Sequence, residues 1–196
     1  MKNQFDLAKY KRMTQIVYVI VKITAIIASI ATGIAMVLSL LLLFMPVSAL
    51  SMFPKALISM DNIIMFNINT LDASSEGYRS ILLSLSVMIA TLSVIFASIF
   101  RQLTHILRSV KDGKPFAAEN SNRLNRIGIT LIVGSIVSRI AEYAVAYTII
   151  HSLKMPALGV NFSADSNMIV MGFIVLILSG VFKYGSYLQR EYDSTV

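Results

Sequence analysis

Residues 15–45 read QIVYVIVKITAIIASIATGIAMVLSLLLLFM, and Lys22 is the one charged residue among them. About 20 apolar residues at 1.5 Å each cross the hydrocarbon core of a bilayer, so this run is a membrane span with length to spare. A helix this long tilts or emerges at one end, and Lys22 can snorkel to the inner headgroups. Pro46 follows, where a helix stops or kinks. A basic head before the run (Lys9, Lys11, Arg12) and the small residues Val47-Ser48-Ala49 imitate a cleaved secretory signal. Signal cores hold up to about 15 apolar residues, half of what is present, so the span reading prevails.

Three further runs follow, at about residues 81–100, 127–150 and 168–188. None alternates polar and apolar as a membrane β-strand must, so each is a helix. The fold class predicted is all-α, an integral membrane four-helix bundle forming a single membrane domain over residues 1–196. The composition agrees: 56% hydrophobic against 14% charged, with no cysteine for a disulfide or a thiolate metal site. Residues 46–79 form a long outside loop whose interior, Ala56-Leu57-Ile58 and Ile63-Ile64-Met65-Phe66, is apolar enough to lie on the membrane surface or over the helix ends. The connection at 152–167 is shorter, and its sequon-like Asn161-Phe162-Ser163 carries no weight.

Charge fixes the orientation. Lys2, Lys9, Lys11 and Arg12 precede the first span, Arg101, Arg108, Lys111, Lys114, Arg123 and Arg126 lie in the loop at 101–126, and Arg190 follows the fourth span. The two opposite connections hold Lys55, Arg79 and Lys154. The positive-inside rule then puts both termini and the 101–126 loop in the cytoplasm. The net charge of +7 reads as orientation in a lipid bilayer, and no direct nucleic-acid partner is expected.

Little in the chain suggests catalysis. His105 and His151 fall on opposite sides of the membrane in this topology, and there is no paired-histidine helix motif, phosphate-cradling glycine loop or nucleophile elbow. No enzyme activity, metal or cofactor is therefore expected. The sharpest polar feature is Arg139 with Glu142, three residues apart in the third span and so on one helix face. They read equally as an intramembrane site for a ligand, ion or proton and as a structural pair that fixes helix rotation. Small residues at close-packing intervals, Ala25, Ser29 and Gly33, and Gly128, Gly134 and Ser138, predict helix contacts. The scattered hydroxyls Thr24, Thr32, Ser84, Ser86 and Ser93 are too few to line a conduction path. The absence of an internal repeat also weakens a transporter reading.

Residues 111–124 read KDGKPFAAENSNRL. Gly113 can end one helix and Pro115 can open the next. Gly113, Pro115, Phe116, Glu119 and Asn120 then form a candidate cytoplasmic docking surface. Gly113-Lys114-Pro115-Phe116, Glu119-Asn120, Leu124 and Ile127-Gly128 resemble the signature of the bacterial family called domain of unknown function 2975. The ending Leu188-Gln189-Arg190-Glu191-Tyr192-Asp193-Ser194-Thr195-Val196 is similar to the close of that family, with Ser194 where a hydrophobic residue is commoner. The resemblance implies a small four-helix protein of the cytoplasmic membrane of a bacterium, often encoded beside a helix-turn-helix regulator, and supplies no catalytic residues. The reading that follows is a noncatalytic sensor or regulatory partner that binds a cytoplasmic protein. The alternatives are a small-solute or ion transport component using Arg139 and Glu142, working as a homo-oligomer, and an immunity or accessory protein that binds another membrane protein.

Overall fold

The computed structural model of the chain describes residues 2–52, 57–60, 64–67, 76–154 and 166–195. Four long helices dominate: α1 (Lys2–Phe44), α2 (Glu76–Lys111), α3 (Ala118–Ser152) and α4 (Ser166–Thr195). A 3-10 turn covers Val47–Met52 after Pro46 has closed α1. A short antiparallel pair, β1 (Leu57–Met60) and β2 (Ile64–Asn67), then places Leu57 opposite Asn67 and Met60 opposite Ile64. Among the described residues these four-residue strands, within the apolar stretch before α2, are the departure from helix that residue composition did not suggest. The all-α reading otherwise stands.

Each helix is long and apolar enough to cross a membrane, over Arg12–Phe44, Glu76–Lys111, Ala118–Ser152 and Ser166–Tyr192. At 1.5 Å per residue even the shortest of these, 27 residues, exceeds a hydrocarbon core of about 30 Å. The helices continue past their apolar runs because a polar end still gains its backbone hydrogen bonds among headgroups and water. Aliphatic side chains point outward along them: Ile34 is 64% exposed, Ile27 60% and Ile177 68%. Exposed apolar surface on this scale is stable in lipid and not in water, which makes the chain a multi-pass membrane protein. Several hydroxyl groups along the helices are satisfied locally. Thr24, Ser29, Ser39, Thr91, Thr104 and Thr148 each donate to the carbonyl four residues earlier, so none needs water for its proton.

The contacts divide the chain into two compact units. The first comprises residues 1–30, 93–136 and 165–196. Here α3 and α4 meet at Gly128 and Gly172, where a Cβ on either would lie 3.0 Å from the other's carbonyl oxygen. Two turns away the same helices exchange hydroxyl bonds. Ser121 Oγ donates to the Ser179 carbonyl at 2.9 Å and Ser179 Oγ donates to the Ser121 carbonyl at 2.8 Å. Both serines are buried, so this reciprocal clasp satisfies two hydroxyls that lipid would leave unpaired. Gly134 packs against Ile95 of α2. Gly33, grouped by spacing with Ala25 and Ser29 as a helix contact, has nothing within 4 Å of its Cβ position. Spacing identifies a smooth face, and at Gly33 no helix occupies it.

The second unit comprises residues 31–92 and 137–164. Its core is Leu42, Leu50, Tyr78, Ile81, Val145 and Ile149, all buried. Ser39 Oγ lies 2.9 Å from Ser86 Oγ between α1 and α2. Arg79 Nη2 donates to the Met45 carbonyl, satisfying one of the acceptors that the end of α1 leaves open.

Candidate functional site

The connection between α2 and α3 is only six residues, 112–117, and it is held from several directions. Gly113 has φ 77, a left-handed conformation that costs glycine nothing and other residues about 1 kcal/mol or more. Its amide donates to Val110 O and that of Lys114 to Ser109 O, the pattern that closes a helix C-terminus. Ser109 Oγ in turn donates to the Lys114 carbonyl at 2.7 Å. The start of α3 is fastened by Asn120, whose side chain is fully buried. Its Nδ2 donates to the Pro115 carbonyl at 2.9 Å, and its Oδ1 accepts from Arg123 Nη1 at 3.0 Å. Arg123 also reaches back toward the His105 carbonyl of α2. Phe116 lies against Phe182 of α4, ring centroids 5.4 Å apart, and over Gly185, where a Cβ would come within 2.7 Å of its ring.

The structure therefore brings the five sequence-predicted turn residues together but divides their tasks. Gly113 and Asn120 shape the turn, and Asn120 is too deep to touch anything outside. Pro115 is half-buried. Phe116 is shared, anchored on α4 with 41% of its surface exposed. Glu119 and the neighbouring Lys114 are exposed and sit on a backbone that is already fixed.

Arg139 and Glu142 belong to the second unit, within α3. Arg139 Nη1 lies 2.7 Å from Glu142 Oε2, with 25% and 32% of the two side chains exposed. A hydrogen-bonded ion pair at this distance neutralises two charges that would each be costly alone in lipid. His105 and His151 lie in different units, and no cluster of three metal-ligating side chains occurs among the described residues. The sequon at Asn161 falls outside the described residues.

One feature escaped the sequence reading. Lys183 is the one charged residue within the fourth apolar run, and it is exposed. It was legible as a lysine interrupting residues 168–188. Charge is also segregated: 13 of the 17 Lys and Arg and six of the ten acids lie in the first unit, leaving four of each in the second. The whole net charge of +7 therefore belongs to the unit that contains the α2–α3 turn. The partition agrees with the one-sided distribution of Lys and Arg already visible along the sequence.

Compared with known proteins, the chain matches the model of the family described as "Protein of unknown function (DUF2975)" over residues 66–196, about two thirds of its length. The match takes in α2, α3, α4 and the fastened turn but not α1. Neither a curated protein nor a solved structure matches the chain.

Proposed function

The chain belongs to the DUF2975 family, and for this member we propose a noncatalytic regulatory role in which the α2–α3 turn holds a soluble cytoplasmic protein. The observation that carries the reading is the fastened turn. Gly113, Ser109, Asn120 and Phe116 spend their bonds on its shape, while Lys114, Glu119 and one side of Phe116 are left outward. A surface fixed in advance loses little conformational entropy when a partner docks. The concentration of basic residues in the unit that carries the turn supports a cytoplasmic side for the turn and both termini, in the cytoplasmic membrane of a bacterium. A helix-turn-helix regulator is the partner class that the family resemblance points to.

The test is capture from gently solubilised membranes. The double variant Lys114→Glu/Glu119→Lys keeps the net charge and leaves Asn120 and Phe116 in place. It should insert normally and lose the partner by tenfold or more. Equal capture by wild type and variant rejects the turn as the docking surface.

The paired Arg139 and Glu142 support a second reading, a transport component with a polar site in the third span. Solute uptake that disappears in Glu142→Gln while partner capture persists favours that reading over the first.

A further inference from the structure

Within the first unit α1 and α2 enclose an open cleft of about 420 Å³. Lys22 from α1 and Arg101 and His105 from α2 line its polar part, and Ala25, Ile26 and Ile30 form its apolar wall. No acidic residue lines it among the described residues. Neither Lys22 nor Arg101 has a carboxylate partner among the described residues. Three groups able to donate to an anion thus converge beside an aliphatic surface.

Depth gives the cleft its meaning. Along α2, Arg101 lies about 33 Å from Arg79, and along α1, Lys22 lies about 33 Å from Phe44, at 1.5 Å per residue. The hydrocarbon core is about 30 Å thick, so Lys22 and Arg101 share the level at which phospholipid phosphates sit. Lys22 therefore has more to do than snorkel past the end of its span. Ile26 and Ile30, one and two turns deeper on α1, are half exposed and continue as a strip along which an acyl chain can lie. A free inorganic anion gains nothing from that strip, and a zwitterionic lipid brings its own cation into the basic cluster. We propose that this cleft is a binding site for one anionic phospholipid, its phosphate held by Lys22, Arg101 and His105 and an acyl chain along Ile26 and Ile30.

The site is independent of what the α2–α3 turn holds, so the two proposals fail separately. The test is native mass spectrometry of the full chain in detergent, titrated with phosphatidylglycerol, phosphatidylcholine or inorganic phosphate. Wild type should take up one phosphatidylglycerol in preference to phosphatidylcholine and show no phosphate adduct. Each basic residue near a membrane surface contributes a factor of about five to anionic-lipid affinity, so Lys22→Gln/Arg101→Gln should bind about thirtyfold more weakly. Lys183→Gln/Arg190→Gln removes the same charge elsewhere in the unit and should stay within about threefold of wild type. If the double variant does not purify folded, Lys22→Gln and Arg101→Gln singly should each lose about fivefold. Undiminished binding in the Lys22 and Arg101 variants, equal losses in the control pair, equal uptake of phosphatidylcholine, or displacement of the lipid by inorganic phosphate overturns the proposal.

Discussion

Replacing Gly172 with alanine tests the packing most sharply, because the obstacle to the new methyl group is largely backbone. Its Cβ would meet Ile132 Cγ1 at 2.6 Å, the Gly128 carbonyl oxygen at 3.0 Å and the Ile132 amide nitrogen at 3.3 Å. Ile132 is β-branched and stiff at χ1, and the two backbone atoms move only if α3 and α4 separate. Overpacking of this kind costs about 1–3 kcal/mol. The gain from placing alanine instead of glycine in a helix is about 1 kcal/mol, so the net loss should be up to about 2 kcal/mol. Gly128→Ala meets Leu176 at 2.7 Å and the Gly172 carbonyl at 3.0 Å. Leucine yields more readily than backbone, and its cost should be the smaller. Once either methyl has parted the helices the other fits more easily, so the double variant should lose less than the sum. Gly33→Ala and Gly180→Ala enter open space and should be neutral or stabilising by up to about 1 kcal/mol. The assay is unfolding by SDS titration in mixed micelles, followed by circular dichroism. If Gly172→Ala is as stable as Gly33→Ala, the close approach of α3 and α4 is wrong.

Arg139→Leu and Glu142→Leu should each lose about 2–3 kcal/mol, the cost of a lone charge within a span, and the double leucine variant should recover most of it in the same titration. Additive losses would show that the 2.7 Å pair contributes nothing. Asn120→Leu removes the donor to the Pro115 carbonyl and the acceptor for Arg123 and should cost about 1–3 kcal/mol. Amide hydrogen exchange over residues 112–117 should rise by tenfold or more, and unchanged protection would mean that Asn120 does not fasten the turn.

How much of this was legible in the sequence depends on the range of the interaction. Residues 15–45 announce a span through their length and apolarity alone, because crossing a bilayer is a property of one helix. Gly113 and Pro115 announce a turn because their backbone preferences are their own. Arg139 and Glu142 are separated by three residues on one helix, so their pairing follows from helical geometry. Asn120 gives no such signal: its side chain is tied to the Pro115 carbonyl and to Arg123 only once the turn has closed between α2 and α3. The same holds for Ser121 and Ser179, two ordinary serines 58 positions apart whose clasp exists only between packed helices. Gly33 and Gly128 show the limit most clearly, since both sit in small-residue patterns and only one has a helix against it. The cleft at Lys22 and Arg101 likewise joins residues that neither periodicity nor local charge connects.

A cytoplasmic docking surface requires the α2–α3 turn to lie in the cytoplasm, and cysteine accessibility measures that directly. The chain contains no cysteine, so an introduced thiol is the only one that reports. Glu76 and Asp112 are exposed and stand at and just beyond the two ends of α2. In intact cells an impermeant maleimide should label Glu76→Cys and leave Asp112→Cys unlabelled until the membrane is permeabilised. Labelling of Asp112→Cys in intact cells, with Glu76→Cys protected, would contradict the orientation and with it the cytoplasmic docking surface.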